Sequence, residues 1–159
     1  MKVGLIEGAT LVDLLWVCNN LSEDERDQWR AFGGVPYDAD NAAAMFYLRP
    51  GPKWTVLVGN EAVLVAGFDR VRDGVWQDWA LTSPKAWEPG NWRPVTRLAR
   101  KVMDWMLQNG AHRLQCVSLA SRIQAHRWYR PLGLELEGTL RAYGVNGEDA
   151  LMFSRLRAT

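Results

Sequence analysis

The chain predicts a mixed α/β domain, a mostly antiparallel seven-stranded sheet flanked by about four helices. Three observations carry that prediction. Gly59-Asn60 and Asp73-Gly74 interrupt a stretch rich in Val, Leu and Trp, which is the signature of a three-strand meander. Thr10 with Asp13 and Ser22 with Glu25 have the spacing of capping boxes ahead of helical runs. At Gly133 the apolar period switches from helical to alternating, so a helix hands over directly to a strand.

Lys2 to Glu7 reads as a short first strand. Leu11, Leu14, Leu15 and Cys18 then recur at helical spacing, and the Ser22 box opens a second helix that Gly33-Gly34 closes. Asp38 to Leu48 reads as a further helical piece, stopped by Pro50-Gly51-Pro52 because proline lacks the donor a helix needs. Trp54 to Val58, Ala62 to Val71 and Val75 to Thr82 are the meander. From Ser83 to Trp92, Pro84, Pro89, Gly90 and Asn91 make a loop longer than a hairpin requires. Pro94 suits a first helical turn, and the stripe Val95, Leu98, Ala99, Val102, Met106 extends it to Gly110. Arg113 to Leu119 reads as a buried strand. Arg122 to Leu132 reads as a short helix with Ala125, Trp128, Tyr129 and Leu132 on one face. Leu134, Leu136, Leu140 and Ala142 alternate with Glu135, Glu137, Thr139 and Arg141 as a half-buried strand, and Asn146-Gly147 joins the last two strands as a tight hairpin.

A length of 159 residues with 48% hydrophobic content fits one domain, residues 1–159, and needs no metal or disulfide staple. Lys and Arg number 19 against 18 Asp and Glu, a net charge of +1, which argues against duplex DNA or an anionic membrane as the main partner. Cys18 and Cys116 share no metal or redox spacing and read as reduced core residues. His112 and His126 make no recognisable metal site. The start, MKVGLIEGAT, is too short and too acidic for a signal peptide, and no stretch is long enough to span a bilayer, so a cytoplasmic location is expected. Nine tryptophans are many for this length. They read as core fillers or, where they adjoin proline and charge, as the lining of a groove, a protein interface or a homo-oligomer contact.

The element order resembles the GNAT superfamily of acyl-CoA N-acyltransferases. In that family the helix after the fifth strand resembles A-x-x-x-Y-x-x-x-G-F followed by an E-G-x-L strand. Ala125, Tyr129 and Gly133 match here, Leu134 replaces the phenylalanine, and Glu137-Gly138-Thr139-Leu140 follows in register. The resemblance implies a sheet splayed between its fourth and fifth strands, with acetyl-CoA as the cofactor threading the gap. Trp79, Ala80, Leu81 and Thr82 would then pair with its amide groups, because a splayed strand leaves peptide groups free. The family's phosphate signature, Q/R-x-x-G-x-G/A, is not kept: Arg93 and Val95 fall on or near its glycine positions, with Pro94 between. Arg93 and Arg97, with Arg100 and Lys101, can supply side-chain charge in place of that loop, or form a solvated basic face. Arg122 stands where the family commonly has an asparagine that meets the cofactor.

The resemblance further implies attack of an amine on a thioester, with Tyr129 as general acid to the leaving thiolate. Tyr129 otherwise reads as a core aromatic. Asp78 shares a strand face with Trp76, Ala80 and Thr82 and is the candidate base, or else an ordinary strand carboxylate. Glu25 and Asp27 lie on the helix that borders the acceptor site in this family and would hold a cationic amine, although a capping Glu25 accounts for itself. The missing glycine loop, the Trp-Ala-Leu-Thr-Ser run and the basic helix resemble divergent GNAT-like proteins of short-tailed phages, some of them internal virion proteins. Two functions therefore stand: an N-acetyltransferase acting on a small-molecule or protein amine, and an inactive structural or interaction protein, such as a phage virion component. Nucleic-acid binding through Arg93, Arg97, Arg100, Lys101, Trp87 and Trp92 lacks the usual basic excess.

Overall fold

The computed structural model describes residues 1–33 and 35–159. Gly34, expected to help close the second helix, lies outside the described residues. The elements run β1 (Val3–Glu7), α1 (Leu11–Asn19), α2 (Glu23–Gly33), α3 (Ala39–Leu48), β2 (Lys53–Val58), β3 (Glu61–Arg72), β4 (Val75–Thr82), a 3-10 turn (Pro84–Trp87), α4 (Trp92–Gln108), β5 (Arg113–Leu119), α5 (Ile123–Tyr129), β6 (Glu135–Leu140) and β7 (Ala150–Leu156). Among the described residues five α-helices thus flank the sheet. The segment from Ala39 to Leu48 is a full helix, capped by the Asp38 side chain accepting from the Asn41 N–H.

The seven strands lie in the order β1-β2-β3-β4-β5-β7-β6, and only β4 and β5 are parallel. Both meander turns form as read. Val58 pairs with Glu61 across Gly59-Asn60, and Arg72 pairs with Val75 across Asp73-Gly74. Gly59 and Gly74 sit at φ +62° and +75°, which a side chain would strain.

Helices cover both faces. On one, Val102, Met103 and Met106 of α4 pack with Leu114 and Cys116 of β5 and Phe153 of β7. On the other, Leu14, Val17 and Cys18 of α1 and Ala43 and Phe46 of α3 pack on Val65 and Leu81. Leu14, Val17 and Leu114 are fully buried, each stabilising the fold by about 1.5–3 kcal/mol relative to exposure. Cys18 and Cys116 are buried free thiols, and burial pushes the Cys18 thiol up to about 11.

Three local expectations are corrected. Thr10 and Asp13 do form a capping box, but Ser22 and Glu25 do not. The Ser22 hydroxyl and the Glu25 carboxylate both turn to Thr82 of β4. Asn146-Gly147 is not a two-residue hairpin: Leu140 pairs with Ala150, so residues 141–149 form a wide loop with a turn from Gly144 to Gly147 at its tip. The loop is drawn toward α2, where the Val145 N–H donates to the Ala31 carbonyl at 2.8 Å. Finally, β6 is an exposed edge strand rather than a half-buried one. Its bulge between Leu136 and Gly138 breaks the alternation, and Leu136 stays 58% exposed.

Among the described residues no helix is long and apolar enough to cross a membrane, and no cluster of three or more metal-ligating side chains forms.

Candidate active site

The parallel pairing of β4 with β5 covers only Val75–Gln77 against Arg113–Gln115. Beyond Gln77 the two strands diverge, and β4 keeps its pairing with β3 through Thr82. Alternation then decides which peptide groups face the opening. The Ser83 N–H donates to Val63 of β3, so the backbone groups of Thr82 and Ala80 face the other way. Ala80 is exposed although it lies in the middle of the sheet. A cavity of about 1080 Å³ fills the divergence and reaches both sheet faces.

Helix α2 crosses the mouth of this divergence. Glu25 Oε2 accepts from the Thr82 N–H at 2.9 Å and from the Thr82 hydroxyl at 3.0 Å, while Ser22 donates its N–H and hydroxyl to the Thr82 carbonyl. One turn later Gln28 Oε1 accepts from the Leu119 N–H, at the end of β5. The tips of both strands are therefore tied to one helix, which satisfies peptide groups that sheet pairing would otherwise have used. Arg122, at the N-cap of α5, joins the network through Asp24 (2.9 Å), Gln28 (3.1 Å) and Glu25 (3.9 Å). Burial outweighs these partners at Glu25 and lifts its carboxyl to about 8.

At the vertex, Asp78 of β4 faces Cys116 of β5. Among the described residues Asp78 has no ion-pair partner, and its Oδ2 is occluded without a hydrogen bond. Burial raises its carboxyl to about 7, placing its charge change at neutral pH. Tyr129 of α5 lines the same cavity; burial, with Cys116 and Asp78 nearby, pushes its phenol well above the ordinary tyrosine value. A phenol held protonated is an acid, and a carboxyl poised near 7 is a base. Ala125, Trp128 and Tyr129 share a face of α5 and line the cavity; Leu132 lines it too, but from the turn past Tyr129, where the helix stops short of the expected end.

The structure places the remaining candidates unequally. Trp79 and Leu81 turn to the α1/α3 face, with the Trp79 ring tilted against that of Phe46 at a centroid distance of 4.6 Å. The gap-side groups of Thr82 are already held by α2, which leaves Ala80 as the open one of the four. Arg93 and Arg97 are exposed on the first turns of α4, Arg93 over the Trp92 ring at 5.2 Å, and among the described residues neither is ion-paired. Val95 is fully buried and its N–H donates to the Asn91 carbonyl, so it is a core residue and not a phosphate contact. Asp27 is corrected as well: two residues beyond Glu25 on a helix of 3.6 residues per turn, it points to the opposite face and pairs with Arg30 at 2.7 Å. Arg122 serves as the link between α2 and α5. His126 is half-buried, with Nε2 3.2 Å from the Ser118 hydroxyl.

Sequence reading missed Ser22, Asp24, Gln28 and Cys116, whose roles depend on α2 lying across the strands. It also missed a pair of tryptophans. The Trp87 indole donates to the Thr82 hydroxyl at 3.1 Å and packs edge-on at 4.8 Å against Trp128, which donates to Thr96 at 2.8 Å. Their surplus in the composition was the available signal.

No protein-family model matches this sequence, and no curated protein matches it. Solved structures do. A ribosomal-protein-alanine N-acetyltransferase from Brucella melitensis superposes with a TM-score of 0.73 at 16% identity, covering 98% of this chain and 99% of that one. A GNAT-family acetyltransferase from Streptococcus pneumoniae gives 0.71 at 12% identity over 99% and 100%. The spermidine N-acetyltransferase from Vibrio cholerae, in complex with CoA and spermine, gives 0.73 at 14% identity over 98% and 95%. The chain has the fold of the GNAT acetyltransferases.

Proposed function

We propose that this protein is an N-acetyltransferase that moves the acetyl group of acetyl-CoA to an amine at the vertex between β4 and β5. The observation that carries the reading is the divergence of these strands beyond Gln77 and Gln115, with Asp78 and Tyr129 lining the cavity so formed. The residues present fit the donor. An extended amide arm finds the open edge at Ala80, and the exposed guanidinium groups of Arg93 and Arg97 suit a diphosphate in the absence of a glycine loop.

In the reaction the acceptor's C–N bond forms as the thioester C–S bond breaks. Asp78 takes the proton that the amine must lose, directly or through water, and Tyr129 gives its proton to the departing sulfur. Arg122 and α2 hold the strand tips apart, so their part is positional.

Calorimetry with acetyl-CoA, followed by thiol release in the presence of amines, tests the reading. Saturable micromolar binding with amine-dependent thiol release supports it. No binding at millimolar acetyl-CoA overturns it and favours a non-catalytic interaction protein, of which a phage virion component is one form.

A further inference from the structure

The acceptor end of the cavity carries a chemical pattern of its own. On the α1/α3 face the aromatic rings of Trp29, Phe46 and Trp79 follow one another at 6.1 and 4.6 Å and line the cavity. At the rim, Phe32 of α2 meets Tyr143 of the β6–β7 loop edge-on at 5.3 Å. The Val145 to Ala31 backbone bond fastens that loop to α2, so the space is bridged on this side rather than open as a trough.

The charges are arranged with equal economy. Among the described residues five that bear charge line the cavity: Asp24, Glu25, Asp78, Arg49 and Arg122. Arg122 is committed to Asp24 and Glu25, and Arg49 to Asp69. Arg122 thus answers two carboxylates with one charge, and Asp78, at the inner end, is the lining carboxylate that has no ion-pair partner among the described residues. Arg49 lies over the rings of Phe46 (4.4 Å) and Trp79 (5.9 Å), so these aromatic faces already carry a cation and repel a second.

We infer that the acceptor is a small primary amine bearing one positive charge and an apolar, ring-sized body: the body lies among Trp29, Phe32 and Trp79 on the α1/α3 face, and the ammonium reaches through the divergence between β4 and β5 toward Asp78, whose side chain points to the other face. This rests on the acetyl-transfer reading above and narrows it. A polyamine's distal ammonium has to share the aromatic faces that Arg49 already occupies, and a peptide has to extend past the Val145–Ala31 bridge.

The test uses the full chain with acetyl-CoA and three acceptors: 2-phenylethylamine, spermidine and a hexapeptide with N-terminal alanine. The expected kcat/KM for 2-phenylethylamine exceeds both others by at least about tenfold. Phe32→Ala, at the half-exposed rim, raises the KM for 2-phenylethylamine about tenfold with kcat changed less than about twofold. Spermidine or the peptide matching 2-phenylethylamine overturns the inference while leaving acetyl transfer intact. If no amine releases thiol, the transfer reading fails, and binding of 2-phenylethylamine alone is then read from tryptophan fluorescence. Saturable quenching that Asp78→Asn weakens about tenfold keeps the amine site; no quenching, or equal quenching by spermidine, removes it.

Discussion

Glu25 reaches from α2 to grip Thr82 twice, at its N–H and at its hydroxyl, at the tip of a strand 57 residues further along the chain. Glu25→Ala leaves the buried Thr82 N–H without an acceptor and is expected to lower stability by about 1–3 kcal/mol in urea denaturation. Glu25→Gln retains an acceptor oxygen and is expected to lose less than half of that. Equal losses in the two variants would mean that packing, and not the grip, is what matters.

The same carboxyl predicts a pH dependence of stability. Glu25 is raised from 4.5 to about 8 and Asp78 from 3.8 to about 7, both mainly by burial. The folded chain therefore holds these protons more tightly than the unfolded chain. Their contribution is full below about pH 4, falls as pH rises toward 8, and is constant beyond. Urea midpoints measured from pH 5 to pH 9 should decline, and Glu25→Gln with Asp78→Asn should flatten the decline. A midpoint that rises across this range contradicts the assignment.

Tyr129→Phe keeps the ring among its neighbours and removes only the hydroxyl, the proton donor. The expected outcome is a fall in kcat of about 10² or more with the acetyl-CoA dissociation constant unchanged within about twofold. An unchanged kcat would make Tyr129 a packing residue.

Asp78→Asn removes the base. The wild-type kcat/KM is expected to rise with pH through a limb near 7, where Asp78 ionises. The variant should be slower and should lack this limb, leaving only the ionisation of the amine itself. A limb near 7 that survives the substitution points to another group.

Gly67 admits Trp79. A Cβ there would fall 2.5 Å from the Trp79 ring and 2.9 Å from the Pro52 carbonyl. Gly67→Ala should therefore cost about 1–3 kcal/mol and shift the tryptophan fluorescence, since the ring must move off the sheet. A silent substitution would show that Trp79 is free to relocate.

What the sequence made legible was local. The bounds of Val75–Thr82 and Arg113–Leu119 follow from turn dipeptides and apolar runs, and the shared face of Ala125, Trp128 and Tyr129 follows from helical spacing alone, whereas Leu132 lies in the turn past the helix end. What it hid was long-range competition for the same atoms. Ser22 and Glu25 have the spacing of a cap, but Thr82 offers a buried N–H, hydroxyl and carbonyl that need partners more than an exposed helix end does. Asn146-Gly147 has the chemistry of a tight turn, but the Val145 bond to Ala31 pulls the chain into a wider excursion. Spacing from a motif fixes the position of Val95 in the chain and not its direction in space, and a place on α2 does not say which face of that helix Asp27 takes.

Three residue pairs are all that join the two halves of the sheet side by side. The molecule is accordingly built like a wishbone: β1 to β4 form one limb, β5 to β7 the other, and α2 is a strut between the tips, fixed at Thr82 on one side and at Leu119 on the other. The width available to a guest at the crotch is therefore set from two sides, by a few side chains of α2 at the tips and by the shared core around α4, where Trp54 and Phe68 of one limb pack with Leu114 and Phe153 of the other.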